Sequence, residues 1–432
     1  MTTIAAKVNI WGTFAGAVLW NPDRGYATLE FDEAYLKKNW DLAPITMPLE
    51  EIRSGSRIFS FPTLNKETYR GLPGLLSDSL PDKFGNTLID AWLAQQGRDV
   101  RSFSPVERLC YIGQRGMGAL EYEPAISPFD EKSNPVEIKK LVKLAKDVLT
   151  ERKKLQTNIH DKTNKGLLEI VRVGSSAGGA RAKAIIAYNE ITGDVRSGQI
   201  DGLKDYAYWV IKFDGVTNQK LGDPKGYGKI EYAYYLMAKD CGIEMSSCKL
   251  LKENKRAHFM SRRFDRDGTK KLHMQTLCAI AHFDYNNPSA NSYELAFQIM
   301  RQLKLPYTDT ENMYRRMVFN VIARNQDDHT KNISFIMDES GLWRLSPAYD
   351  LTYAFDPKNK WMKEHQMSIN GKRDGIQRKD LMATAKKMNI KKADEIIAKT
   401  IDTILNWNTY AKKADVNRDQ IGAIRSTFLL RI

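Results

Sequence analysis

One stretch constrains this chain more than any other: Asn325-Gln326-Asp327-Asp328-His329-Thr330-Lys331-Asn332-Ile333-Ser334, followed by Ser346-Pro347-Ala348-Tyr349-Asp350. Asp327 and Asn332 stand five positions apart, with a short apolar run at 333–336 directly behind them. Asp350 follows 18 residues after Asn332, beyond a second short run at 342–345. A carboxylate, an amide five residues on and a second carboxylate beyond a hairpin suit phosphoryl transfer. The first Asp can orient an attacking hydroxyl and accept its proton, while the Asn and the second Asp hold Mg²⁺ on the nucleotide phosphates. Mg²⁺ takes such oxygen ligands and fills its shell with water and substrate phosphates. By itself the pattern also fits a polar hairpin loop whose Asp and Asn cap turns. What lies upstream decides between the two.

At 432 residues the chain is long enough for two or three domains around a large core. No run approaches the ~18–20 apolar residues of a membrane span, and the N-terminus carries no signal-peptide core. A cytosolic protein with no membrane partner is expected. The four cysteines, Cys110, Cys241, Cys248 and Cys278, are too few and too scattered for a disulfide scaffold or a zinc site, so buried thiols are expected. The net charge of +14 favours an acidic or nucleic-acid partner. From Met362 to the end, 15 Lys and Arg face 8 Asp and Glu, a surplus of 7 that is half the total. Lys386-Lys387, Lys391-Lys392 and Lys412-Lys413 fall in expected helices there. Such a face is commonly just solvated, with DNA contact the alternative.

In chain order, residues 4–32 read as β-hairpins separated by Gly12 and by Asn21-Pro22-Asp23-Arg24-Gly25. Residues 83–96 have amphipathic helical spacing. Ser104-Pro105-Val106-Glu107 is a capping box with Pro at the first helical position. Residues 1–123 form one expected α+β domain and 124–134 a linker; a long helix then opens at Asn134-Pro135. The small-residue loop Gly174-Ser175-Ser176-Ala177-Gly178-Gly179-Ala180 lies between two β-like runs and would let backbone N–H groups approach phosphates. It is not a Walker A loop, because Ala180 follows Gly179 and no helix pattern comes after. Lys212 sits inside a strand pattern at 206–213 and needs a partner if buried; in a nucleotide site that partner is the α/β-phosphates. A helix at 230–241 carries Glu231, which could pair with Lys212. Strands at 249–251 and 257–261 follow. Helices are expected at 311–323, 379–388, 393–411 and 418–430.

This order, β domain, small-residue loop, strand lysine, helix with Glu, helical lobe, then the Asp–Asn–Asp set, is what a two-lobed kinase needs. The Asp-to-Asn spacing equals that of the protein-kinase catalytic loop, though neither His-Arg before the Asp nor Asp-Phe-Gly is present.

Several strings carry a closer likeness. They are Gly71-Leu72-Pro73 to Leu80-Pro81, Gly116-Met117-Gly118-Ala119-Leu120, Ser176 to Lys183, Val210-Ile211-Lys212, Arg263-Phe264-Asp265-Arg266, Asp327 to Asn332, and Tyr349-Asp350. In these the chain resembles the HipA serine/threonine kinase toxins of type II toxin–antitoxin systems, over nearly its whole length. The resemblance implies an α+β fold: a two-lobed protein-kinase-like core, an added N-terminal β-rich domain (1–123), an N-lobe-like region (135–261) and an all-helical C-terminal lobe (262–432). It implies ATP and Mg²⁺ as cofactors. Asp327 would be the catalytic Asp, Asn332 and Asp350 the metal ligands, and Lys331 and His329 supporting residues for the transferring phosphate. Lys212, Phe264 and the loop Ser176, Ala177, Gly178, Gly179 and Ala180 would bind the nucleotide. Ser176 would be autophosphorylated, although the adjacent Ser175 leaves the choice of hydroxyl open. The implied partners are a helix-turn-helix antitoxin, operator DNA reached through that complex, and a protein substrate such as an aminoacyl-tRNA synthetase. Asp328 adds an extra carboxylate beside the catalytic one and is expected to alter metal or substrate handling.

Two other readings stay open: a small-molecule phosphotransferase on the same lobe pair, and a non-catalytic DNA-associated co-repressor. The full set Lys212, Asp327, Asn332 and Asp350 weighs against the second, and the N-terminal domain against the first.

Overall fold

The first strands close through a two-residue turn, because Trp11 and Gly12 sit at φ 47° and 69°. Positive φ at both turn residues matches the twist of paired strands. β1 (Ala5–Ile10) and β2 (Thr13–Asn21) therefore pair antiparallel; β3 (Tyr26–Phe31) and β4 (Ile58–Ser60) extend one edge and β5 (Leu120–Glu123) the other, in the order β4-β3-β2-β1-β5. Ala6, Val8 and Ile10 alternate into the core, the period-two signature of a strand with one covered face. At Gly16 the strands come so close that a Cβ would meet the Glu30 carbonyl oxygen at 2.1 Å.

The computed structural model describes residues 5–126, 136–150, 181–198, 203–216 and 226–432. The chain divides into two compact units, one of residues 1–42, 47–225 and 249–274, the other of 43–46, 226–248 and 275–432.

The first unit holds a second antiparallel sheet: β6 (Lys183–Tyr188), β7 (Val195–Ser197), β8 (Ala207–Lys212), β9 (Cys248–Glu253) and β10 (Arg256–Arg262), ordered β7-β6-β8-β10-β9. The helix Lys83–Gln95 packs Leu88, Ile89 and Trp92 into one core with Ile186, Trp209 and Met260 of that sheet. The helix Pro105–Ile112 begins with both halves of the expected capping box, Ser104 Oγ accepting from Glu107 N and Glu107 Oε2 from Ser104 N. The string Arg263-Phe264-Asp265-Arg266 is a buried ionic knot. Asp265 accepts from Arg263 at 2.6 Å, Arg266 at 2.7 Å and Gly118 N at 2.8 Å. Burial acts to raise the Asp265 carboxyl, but the two guanidiniums outweigh it and hold the group well below the usual range.

Across the second sheet Lys183 stands directly opposite Lys212, and Lys212 opposite Phe259. Directly opposed residues share a face, and like charges so placed repel. Lys183, 3% exposed, is compensated by Asp82, whose Oδ2 lies 3.4 Å from its Nζ with 5% of the Asp82 side chain exposed. Asp82 also caps the helix Lys83–Gln95, Oδ1 accepting from Gly85 N at 2.7 Å. Burial pushes the Asp82 carboxyl up to about 6, against the pull of Lys183.

In the second unit Trp407 is wholly buried between Tyr234 and Phe428, at ring distances of 5.8 and 5.7 Å. The helix Tyr307–Ile322 starts four residues earlier than expected, because Pro306 at the N-cap fixes the entry and Asp309 occupies the first turn. The expected helix 393–411 is broken at Asn406 into Ala393–Leu405 and Trp407–Lys413. The last helix ends at Arg425 rather than 430. The four cysteines are free and buried, and no helix among the described residues is long and apolar enough to cross a membrane.

Asp82→Asn keeps the cap but strands a buried ammonium, and breaking such a pair costs roughly 3–5 kcal/mol. Urea unfolding should register that loss, and Asp82→Asn/Lys183→Met should recover most of it. Equal instability of the single and double variants would mean that the cap geometry, not the charge, is what the site needs.

Candidate functional site

The helix Tyr307–Ile322 carries the chain to residues 325–332, where hydrogen bonds to the backbone of Ala354 lock the entry: Gln326 N donates to Ala354 O at 2.9 Å and Ala354 N to Arg324 O at 3.0 Å. Burial then alternates. Gln326, Asp328 and Thr330 are 0%, 3% and 0% exposed, whereas Asp327 is exposed and His329 and Lys331 half-buried. An extended chain sends successive side chains to opposite sides, so Asp327 and His329 share the outer one. His329 Nε2 lies 3.9 Å from Asp327 Oδ1.

From Thr330 the chain makes a short 3₁₀ turn, Thr330–Asn332, before the hairpin Ser334–Met337 and Trp343–Leu345. Asn332 Nδ2 donates to the Asp327 carbonyl at 2.7 Å, fixing the amide to the loop. The hairpin returns the chain as Tyr349-Asp350. Tyr349 OH donates to the Lys331 carbonyl at 2.7 Å and also meets Ser334 Oγ, tying this return to the turn. Asp350 sits at φ 55°, a left-handed conformation that costs a non-glycine residue on the order of 1 kcal/mol or more and persists where the surroundings impose it. Asn332, Tyr349 and Asp350 line one cleft of about 20 Å³, with Arg316, Asn320 and Asn325 behind. That volume is about one water.

Asp328, expected to alter metal or substrate handling, lines the same cleft as Asn332 and Asp350, but its carboxylate is tied down. Its side chain is fully buried, and both oxygens are engaged: Oδ2 accepts from Tyr293 OH and faces His365 Nδ1, each at 2.8 Å, and Oδ1 accepts from Gln366 N at 2.7 Å. Asn320 Nδ2 donates in turn to Tyr293 OH at 2.9 Å. Burial acts to raise the Asp328 carboxyl, but His365 and the hydrogen bonds outweigh it and hold the group below its ordinary range.

The structure thus brings Asp327, His329, Lys331, Asn332 and Asp350 together in one unit. Lys212 and Phe264 belong to the other unit, both half-buried, with Lys212 Nζ 5.7 Å from the Phe259 ring centroid. Ser175, Ser176, Ala177, Gly178, Gly179 and Ala180 lie outside the described residues. Sequence reasoning missed Tyr293, His365 and Gln366, which stand more than 30 positions from Asp328. Residues 326–331 are polar throughout, so no signal in the sequence marked Asp328 as pointing inward.

Because the folded protein releases the Asp328 proton more readily than the unfolded chain, this carboxylate's stabilisation is complete above the unfolded value near 4 and fades as pH falls through the depressed one. Asp328→Asn should therefore lower stability at pH 7 and flatten the acid limb of a stability–pH profile. An unchanged limb would show that Asp328 does not titrate in acid unfolding.

A family model described as the HipA-like C-terminal domain matches residues 175–407, and one described as the HipA N-terminal domain matches residues 6–123. A protein of Sinorhizobium fredii (strain NBRC 101917 / NGR234) named "Putative kinase Y4mE" is 25% identical over 125 residues, 27% of this chain; the match spans only 30% of that relative's length. The HipA chain in a solved complex of Shewanella oneidensis MR-1 HipA, HipB and operator DNA matches with a TM-score of 0.68 at 15% identity, over 98% of this chain and 95% of that one. That likeness carries the fold, the kinase-like α+β architecture expected from the sequence; the lobe at 262–432 is not all-helical as expected, because the strands His273–Thr276, Ser334–Met337 and Trp343–Leu345 form a sheet there. With both family models matched, one of them across more than half of the chain, the protein belongs to the HipA family of toxins.

Proposed function

We propose that this protein is an ATP-dependent serine/threonine protein kinase acting as the toxin of a toxin–antitoxin pair. The observation that carries the reading is the division between two adjacent carboxylates. Asp328 is consumed by buried donors, while Asp327 stays exposed beside Asn332 and the Tyr349-Asp350 return. A loop that merely caps turns needs no such division.

In this mechanism Asp327 accepts the proton of the substrate hydroxyl as that oxygen bonds to the γ-phosphorus. The bond from phosphorus to the β–γ bridging oxygen breaks, and ADP leaves. Mg²⁺ on the phosphates would supply charge neutralisation. The donor set fits it: Asn332 turns its NH₂ to the Asp327 carbonyl, leaving the amide oxygen as the ligand atom, and Asp350 lines the same cleft. Two oxygen ligands suffice for an ion that keeps waters and phosphates, so the absence of any cluster of three His, Cys, Asp or Glu among the described residues does not count against the site. Lys212 would bind the α- and β-phosphates, and Phe264 the nucleotide.

Asp327→Ala should leave unfolding unchanged and lower phosphoryl transfer by roughly 10²–10⁴-fold, read with radiolabelled ATP. Asn332→Ala and Asp350→Ala should weaken Mg·ATP binding as well. Peptide mapping in the same assay should place an autophosphate on Ser176, where a dianion of roughly −1.5 to −2 charges would repel ATP. Near wild-type transfer by Asp327→Ala, or phosphate on Ser175 alone, removes the respective assignment.

The proposed partners are a helix-turn-helix antitoxin, its operator DNA and a protein substrate such as an aminoacyl-tRNA synthetase. Support for the first two comes from the Shewanella complex, which joins HipA to HipB and operator DNA, and from Lys386, Lys387, Lys391 and Lys392, all exposed. Phosphate contacts by these lysines would add a salt-dependent, sequence-independent contribution. Neutralising all four should make the salt dependence of operator binding by the antitoxin complex shallower; an unchanged slope means the face is only solvated.

A further inference from the structure

Tyr285 is the one aromatic ring in contact, among the described residues, with both basic side chains flanking Asp327. Lys331 Nζ lies 4.7 Å from its centroid, and the His329 ring is 5.6 Å away, tilted 52°. The contact follows from how the two segments are fastened. Between His329 and Lys331, Thr330 is wholly buried and its hydroxyl donates to the Phe283 carbonyl at 2.8 Å. That bond sets the chain two residues before Tyr285 against the loop. Tyr285 then rides on a turn held from several sides. Asn287 N donates to Asp284 O at 3.1 Å, Asn286 N to Asp284 Oδ1 at 2.9 Å, and the buried Asn291 amide to Asp284 O at 2.8 Å. The ring therefore sits where His329 and Lys331 meet it together.

We propose that Tyr285 is a positioning residue for phosphoryl transfer, its ring face holding the Lys331 ammonium beside Asp327 without letting it pair with a carboxylate. The inference rests on the kinase reading given above. A lysine is a point charge on a flexible four-carbon stem, and Asp327 and Asp350 are both within the same site. An ammonium bonded to either one would oppose proton acceptance at Asp327 or compete for the Asp350 carboxylate. Among the described residues no carboxylate lies within ion-pair distance of Lys331, and the aromatic face satisfies its charge without neutralising it. The ammonium is thereby kept available for the charge that spreads over the phosphoryl oxygens in the transition state. The same ring backs His329, whose other side faces Asp327 at 3.9 Å.

The test compares Tyr285→Phe, which keeps the ring, with Tyr285→Leu, which keeps apolar bulk and removes the π-face. Tyr285→Phe should stay within about twofold of wild type, and Tyr285→Leu should lose roughly tenfold in kcat, the size such a contact supplies, with KM for ATP unchanged. Tyr285→Leu/Lys331→Met should be no slower than Lys331→Met alone, since the ring acts through the lysine. A readout independent of turnover accompanies this: in ¹³C-lysine-labelled protein the Lys331 ε-methylene resonance, assigned by its loss in Lys331→Met, should be shifted upfield and should return toward its ordinary position in Tyr285→Leu. Absence of the shift in wild type, multiplying losses in the double variant, or Tyr285→Phe as slow as Tyr285→Leu would each overturn the inference. A shifted resonance in a wild-type protein that transfers no phosphate would instead strike the kinase reading beneath it.

Discussion

The buried carboxylate of Asp328 is the constraint on which the candidate site depends. A charge with no exposure is tolerable only where donors replace its water, and here a phenol, an imidazole and a backbone amide do so. These donors come from widely separated parts of the unit, at 293, 365 and 366, so the geometry of the loop depends on tertiary packing. Once Asp328 is fixed inward, the extended geometry leaves Asp327 no choice but outward. The direction of the Asp327 carboxylate thus follows from its neighbour's burial.

The same logic explains why the site tolerates a strained residue. Asp350 holds a left-handed backbone because Tyr349, one position before it, is hydrogen-bonded to the Lys331 carbonyl. The turn that carries Lys331 and Asn332 and the return that carries Asp350 are therefore one mechanical piece. Three side chains with a proposed chemical role have an adjacent residue with a structural one: Asp327 with Asp328, Lys331 with Thr330, Asp350 with Tyr349.

Much of this was legible in the sequence. Local signals were read correctly where local physics decides: the capping box at Ser104 and Glu107, the amphipathic helix Lys83–Gln95, and the hairpins of β1 to β3. Asp327, Asn332 and Asp350 could be selected because chemistry fixes their types and spacing. Tertiary partners were not legible. Nothing at Tyr285, Tyr293 or His365 marks it as a neighbour of Asp328 or Lys331, since those contacts exist only after the helices pack. Boundaries failed for a related reason. The break at Asn406 interrupts a continuous helical pattern because Trp407 must turn into the core between Tyr234 and Phe428.

The first unit ignores the border between the two family models. Phe84, Leu88 and Trp92 come from the segment matched by the N-terminal model, whereas Ile186, Trp209 and Met260 come from the segment matched by the C-terminal one. The pair Asp82–Lys183 and the bond from Gly118 to Asp265 cross the same border. A domain that is a separable module keeps its core to itself; this one shares it. The N-terminal region is therefore not a cassette to be exchanged among relatives. A chimera joined between residues 123 and 175 would inherit an unmatched cation and half a core, so the two segments must have changed in concert and should open together in hydrogen exchange as one cooperative element.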